Sequence, residues 1–110
     1  FGTGSETRDF AKVKDVARAL RKIAEGGKFE AEVYNVGNNA EVSIRDLAYW
    51  LIASLNRDCE IRFSGVTRKG DPERWCADVR LLRGLGYKPS VSIEQGIADY
   101  GSWILENIDA

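Results

Sequence analysis

In the stretch Asp15 to Glu25, apolar residues fall at Val16, Ala19, Leu20, Ile23 and Ala24. That is the spacing of one helical face, and Gly26-Gly27 supplies a C-terminal stop. A second face is formed by Ile44, Leu47, Ala48, Leu51, Ile52 and Leu55 in a segment reaching Asn56. Ser43 and Asp46 stand before it at capping-box spacing, suited to the orphan N–H groups of a first turn. Ser92 with Gln95 opens a last helix through Asn107, with an expected buried stripe of Ile93, Ile97, Tyr100, Ile104 and Leu105. Asp78 can cap a short helix that ends at Gly84 to Gly86.

The strand signals are weaker. Glu32 to Val36 is β-prone through Val33, Tyr34 and Val36 and is closed by the turn residues Gly37-Asn38-Asn39. Glu60 to Phe63 alternates polar and apolar. Phe1 to Phe10 is a polar, glycine-bearing loop or edge, and Ser64 to Arg74 is a polar loop carrying Arg68, Lys69, Asp71, Glu73 and Arg74. The sum is a mixed α/β chain, helix-dominated, with about four helices and about three short strands.

Composition narrows the functional classes. A chain of 110 residues, 44% hydrophobic and 30% charged with two prolines, is one folding domain with one small core. Sixteen basic residues interspersed with 17 acidic ones leave no basic footprint, so neither nucleic acid nor an anionic membrane is an expected partner. The longest apolar run, Leu47 to Ala53, is far short of the roughly 18 residues of a membrane span. With no signal-peptide pattern, the expectation is a soluble, cytoplasmic protein. The chain opens on Phe1 and holds no methionine, which raises the expectation of an excerpt from a longer polypeptide.

Histidine is absent, which removes Ser-His-Asp and Cys-His nucleophiles and the HExxH zinc helix. Cys59 and Cys76 form no CxxC, so no metal site is signalled; they read as one disulfide or, the favoured expectation, as a pair of reduced thiols. Gly2-x-Gly4 meets Thr7 where a dinucleotide fingerprint needs its next glycine, and no strand precedes it. Tyr34, Tyr49, Tyr87 and Tyr100 are followed four positions on by Asn38, Ala53, Val91 and Ile104, so no Tyr-x-x-x-Lys base exists. The remaining anion-handling candidates are Arg8, Arg68 and Arg74, because a guanidinium fork binds phosphate bidentately. Taken singly, such residues are also ordinary surface groups: Arg8-Asp9 reads equally as a local ion pair, and Trp75 as a boundary aromatic.

Taken in order, the segments resemble a family. Gly2-x-Gly4 followed by Thr7-Arg8-Asp9-Phe10, then Val13, Asp15-Val16 and Ala19, is similar to a stretch of the extended short-chain dehydrogenases/reductases that act on nucleotide sugars. Tyr34-Asn35-Val36-Gly37 resembles their Y-N-x-G strand, and Val42-Ser43-Ile44 the start of the helix after it. Arg68-Lys69-Gly70-Asp71 resembles R-x-G-D, with lysine where proline is usual, and Ala77-Asp78 the A-D that follows. Leu85-Gly86-Tyr87-Lys88-Pro89 and Ser92-Ile93-Glu94-Gln95-Gly96-Ile97 match the motifs that lead into the last helix.

The resemblance implies the carboxyl-terminal, substrate-binding part of a UDP-glucose 4-epimerase-like or dTDP-glucose 4,6-dehydratase-like enzyme. It would be a single domain over 1–110, with the dinucleotide-binding domain absent. The family places a diphosphate on the arginines matching Arg8 and Arg68, the nucleoside ribose near Asp71, and substrate-proximal groups at Asn35 and Trp75. The resemblance therefore implies weak recognition of a nucleoside diphosphate sugar, with no catalytic residue and no cofactor of its own, NAD belonging to the intact enzyme. The competing expectation is a non-catalytic family remnant acting in self-association or partner docking. A homo-oligomer is expected through Val16, Leu20 or Ile23, whose family partner surface is missing.

Overall fold

The computed structural model describes residues 2–108. In chain order it contains β1 (Thr7–Arg8), α1 (Val13–Gly26), β2 (Val42–Ser43), α2 (Ile44–Ser54), α3 (Arg80–Gly84) and α4 (Ile93–Asn107). The two strands pair antiparallel, Thr7 opposite Ser43 and Arg8 opposite Val42. Ser43 does two jobs: its backbone closes the ladder and its Oγ accepts the Asp46 N–H at 3.0 Å as the cap of α2. The next N–H groups of that helix donate to the segment before β1, Ile44 to the Glu6 carbonyl and Arg45 to the Gly4 carbonyl, both at 2.9 Å. Strand and helix are thereby welded at one corner.

Two packing units flank this corner. In one, Ala19 of α1, Leu82 of α3 and Tyr87 form the buried cluster, with Ile23, Tyr34 and Val36 packed around it. In the other, α2 lies against α4, where Ile97 is buried and the helices approach closely at Gly101. A Cβ on Gly101 would stand 2.9 Å from the Ser54 Cβ, so only glycine admits this crossing. The Ser92 Oγ caps α4 by accepting the Gln95 N–H, and a Lys12–Asp99 ion pair ties the start of α1 to α4.

Asp15, in the first turn of α1, is fully buried. It accepts from the Ser90 N–H (3.0 Å), the Ser90 hydroxyl (2.6 Å), the Val91 N–H (3.2 Å) and Arg18 (2.7 Å). Burial by itself would raise its pKa, but these bonds together hold the carboxyl below its ordinary value. The charge is retained because four donors replace its water.

Several expected elements differ. Glu32–Val36 is not a strand, because no neighbouring chain pairs with it among the described residues. Its approach is bent instead: Phe29 and Ala31 adopt left-handed φ of 60° and 65°, and the Glu32 carboxylate accepts the Lys28 and Glu30 N–H groups at 2.6 and 2.7 Å. Glu60–Phe63 likewise has no ladder. In place of about three strands there is one ladder of two residues on each side. On α4, Ile97 is buried but Tyr100 and Leu105 are exposed, since α2 covers only one face; Tyr100 stacks on Trp103 instead. No described helix is long and apolar enough to cross a membrane, and Cys59 and Cys76 are exposed free thiols.

Candidate functional site

The segment 2–8 runs between the start of α2 and the 64–74 loop and is bonded to both. Gly2 exchanges backbone hydrogen bonds with Gly65 and Val66, and the Thr7 N–H donates to the Glu73 carbonyl, all at 2.9 Å. These stitches hold open a cleft of about 160 Å³ whose walls include Arg8, Arg68, Asp71 and Pro72, with the carboxylates of Glu6 and Glu73 beside them. Three of the five residues singled out from the sequence, Arg8, Arg68 and Asp71, thus share one cleft. Trp75 does not line it but meets one of its members, with the Arg8 guanidinium carbon 5.9 Å from the ring centroid. Asn35 lies elsewhere, against α3, donating to the Asp78 carbonyl at 3.3 Å.

Arg8 is held rather than loose. One terminal nitrogen donates to its neighbour's carbonyl, Thr7 O, at 2.7 Å and to Pro72 O at 3.0 Å, while the indole of Trp75 flanks the guanidinium. A fork fixed on one side presents its remaining donors in a set direction, which favours bidentate capture of an anion. Asp9 is not its ion-pair partner. That carboxylate is spent on backbone, accepting Asn38 N–H at 2.7 Å, Asn39 N–H at 2.9 Å and Ala77 N–H at 3.1 Å. Gly37 is required beside it, since a Cβ there would sit 2.6 Å from Asp9 Oδ2.

Two carboxylates that no sequence motif marks, Glu6 in the cleft wall and Glu41 outside it, have structural work. Glu6 folds under the Gly2–Gly4 turn, accepting N–H bonds from Thr3 and Gly4 at 2.9 Å each; these backbone bonds hold its pKa below the ordinary value. Glu41, outside the cleft, accepts from both the Arg74 fork (2.9 and 3.0 Å) and the Thr7 hydroxyl (2.6 Å). Arg74, then Thr7, lower its pKa against a smaller desolvation effect. No local motif marks Glu41; its partners are 33 and 34 positions away.

No family model matches the chain. Among curated proteins, it is 32% identical to the dTDP-L-rhamnose 4-epimerase of Burkholderia thailandensis, over 99% of this chain and 30% of that one. It is also 32% identical to a dTDP-glucose 4,6-dehydratase of Xanthomonas campestris, over 97% of this chain and 33% of that enzyme. Among solved structures, the UDP-glucose 4-epimerase of Thermotoga maritima, determined with UDP-glucose, superposes with a TM-score of 0.86 at 28% identity, over 99% of this chain and 35% of that one. Over nearly its whole length the chain is similar to nucleotide-sugar epimerases and dehydratases of the extended short-chain dehydrogenase/reductase type. It spans about a third of the length of these relatives.

The dinucleotide of that family has no cradle among the described residues. A pyrophosphate-binding glycine turn needs free N–H groups at a helix N-terminus. Here the Gly2–Gly4 turn has the Glu6 carboxylate on the N–H groups of Thr3 and Gly4, and it leads into strand β1. A negative group already occupies those donors, so this turn does not fit a dinucleotide pyrophosphate. No group of His, Cys, Asp and Glu suited to a metal ion occurs among the described residues either.

Proposed function

We propose that the chain supplies the diphosphate-holding wall of a nucleotide-sugar site, with Arg8 and Arg68 on the phosphates, Asp71 toward the ribose and Trp75 against Arg8. The observation that carries this is the convergence of Arg8, Arg68 and Asp71 on one cleft from segments 60 positions apart in sequence, in a chain similar to this family. Asn35, which lines a separate depression with Asp78 and Arg80, is the weakest member of the set. Guanidinium forks suit the task because they stay charged at any working pH and match phosphate geometry.

The same cleft argues for weak binding by the chain alone. Its volume of about 160 Å³ is below the roughly 300–1,000 Å³ of a pocket that engulfs a small ligand, so it can seat a diphosphate but leaves sugar and base uncovered. Affinity for UDP is therefore about millimolar, falling with salt. Without a Tyr-x-x-x-Lys pair or a dinucleotide cradle, the chain performs neither epimerisation nor dehydration by itself. The test is a UDP titration followed by NMR on the wild type, Arg8→Ala and Arg68→Ala. Loss of the induced shifts in both variants is expected. Unchanged shifts, or turnover of a UDP- or dTDP-sugar above a blank, would refute the assignment.

A second reading, self-association, is favoured by surface area. A compact 12.3 kDa monomer exposes roughly 6,100 Å², whereas this chain exposes 8139 Å². The excess of about 2,000 Å² exceeds what one partner contributes to an ordinary stable interface. On α1, Leu20 is 60% exposed, while Val16 is half-buried and Ile23 packs on the chain's own cluster, which leaves Leu20 to anchor the contact. Sedimentation at micromolar concentration should show a dimer that Leu20→Glu dissociates; a monomeric wild type would overturn it.

A further inference from the structure

We propose that Glu41 is a positioning residue for the arginine cleft: by gripping Arg74 and Thr7 together, it fixes the separation of Arg8 from Trp75 and so the aim of the Arg8 fork. The inference rests on the diphosphate reading for its ligand, though not for its geometry.

Glu41 immediately precedes β2 and is not part of the cleft wall. Its carboxylate accepts Arg74 Nε at 2.9 Å and Nη2 at 3.0 Å, a bidentate fork, and also the Thr7 Oγ1 proton at 2.6 Å. Each partner is one residue from a member of the Arg8–Trp75 contact. Thr7 precedes Arg8, and neighbouring side chains on a strand point to opposite faces, so a hold on Thr7 from behind directs Arg8 forward. Arg74 precedes Trp75, whose ring lies 5.9 Å from the Arg8 guanidinium carbon. One backbone bond repeats the stitch, Thr7 N–H donating to Glu73 O at 2.9 Å, and the Arg8 guanidinium itself donates to Pro72 O at 3.0 Å. Glu41 thus clamps residues 7–8 to residues 72–75 through side chains, where backbone bonds alone would leave the pair free to hinge.

The energetics point to geometry as the effect to measure. The Arg74 side chain is 77% exposed, and exposed ion pairs contribute little to folding stability. Removing Glu41 should therefore leave the fold in place while loosening Arg8.

The experiment follows the Arg8 δ-protons by NMR in the ligand-free full chain. The Trp75 ring current shifts them, and Trp75→Leu sets the unshifted position. Glu41→Ala is expected to move them more than about halfway to that position and to raise the UDP dissociation constant about five-fold, which corresponds to roughly 1 kcal/mol. The unfolding temperature should stay within about 2 °C, as suits an exposed pair. The charge-swapped pair Glu41→Arg with Arg74→Glu should restore both readouts in part. Arg8 protons that do not move in Glu41→Ala, or a swap that restores nothing, would overturn the proposal. A wild-type chain that ignores UDP while Glu41→Ala still releases Arg8 overturns the diphosphate reading and supports the positioning role.

Discussion

Replacing Asp15 tests whether a single buried carboxylate joins the start of α1 to the chain ahead of α4. Its four acceptor bonds link α1 to Ser90 and Val91 and, within the helix, to Arg18. In Asp15→Ala the Ser90 and Val91 N–H groups lose their acceptor. An orphaned donor costs roughly 1–3 kcal/mol; with Ser90 exposed enough to regain water, about 1 kcal/mol for it and about 2 for Val91 sum to about 3 kcal/mol. Asp15→Asn keeps one oxygen for the backbone pair but loses the charge and the Arg18 bond, for about 1.5 kcal/mol. Total stability is on the order of 5–15 kcal/mol for a domain of this size, so the alanine variant is a large fraction of it.

Urea unfolding followed by tryptophan fluorescence measures this directly. At a slope of about 1.5 kcal/mol/M, alanine should lower the midpoint by about 2 M and asparagine by half that, with the slope unchanged. The pH dependence has a definite sign. Because the folded pKa of Asp15 lies below its ordinary value of 3.8, the stabilisation is present above that pH and is lost as pH falls through the lower folded value. The gap between wild type and Asp15→Asn should stay constant above pH 3.8 and close below it. An alanine variant within about 0.5 kcal/mol of wild type, or a gap persisting unchanged to the acid limit of folding, would refute the reasoning.

Three further outcomes follow from the packing. Gly101→Ala should lower the unfolding temperature by about 5 °C, as overpacking of 1–3 kcal/mol outweighs about 1 kcal/mol of helix propensity; a rise would mean that α2 and α4 part freely. Tyr87→Phe should be neutral or stabilising by up to about 1 kcal/mol, because the Tyr87 hydroxyl is buried without a partner among the described residues, and calorimetry showing a larger loss would reveal one. Gly37→Ala should both destabilise the chain by about 2 kcal/mol and weaken UDP-induced shifts, since its Cβ would press within 2.6 Å of Asp9, the residue after Arg8; stability loss with an unaltered UDP response would separate Asp9 from the cleft.

The helices were legible because their signals are local: the apolar spacing of α1, α2 and α4 and the caps Ser43 and Ser92 all lie within a few residues of the turns they build. The strands were not, because a ladder needs a second chain segment that β-propensity cannot specify. Val33, Tyr34 and Val36 carry the right side chains and have no partner, whereas Thr7–Arg8 and Val42–Ser43 pair over two residues too short to show alternation. The arginines of the cleft could be picked out by motif, Arg8 and Arg68 being marked by the acids and glycine around them. Their supports could not. Glu41, Asp9 and Asp15 look like ordinary surface acids until residues 29 to 76 positions distant are folded against them.

The reach of those last contacts bears on the order in which the chain acquires its shape. Asp9 is bound by backbone N–H groups 29, 30 and 68 positions downstream, and Asp15 by groups 75 and 76 positions downstream. During synthesis, α1 and the strand bearing Arg8 leave the ribosome long before Ala77 or Ser90 exists to complete them. Both carboxylates must stay in water until then, and contacts of such separation form late. Residues 7–26 are thus a protease target until those downstream groups have emerged. Nascent chains stalled before Ala77 should be cut readily within α1 and full-length released chains should resist; equal resistance at both lengths would show that α1 settles without its distant partners.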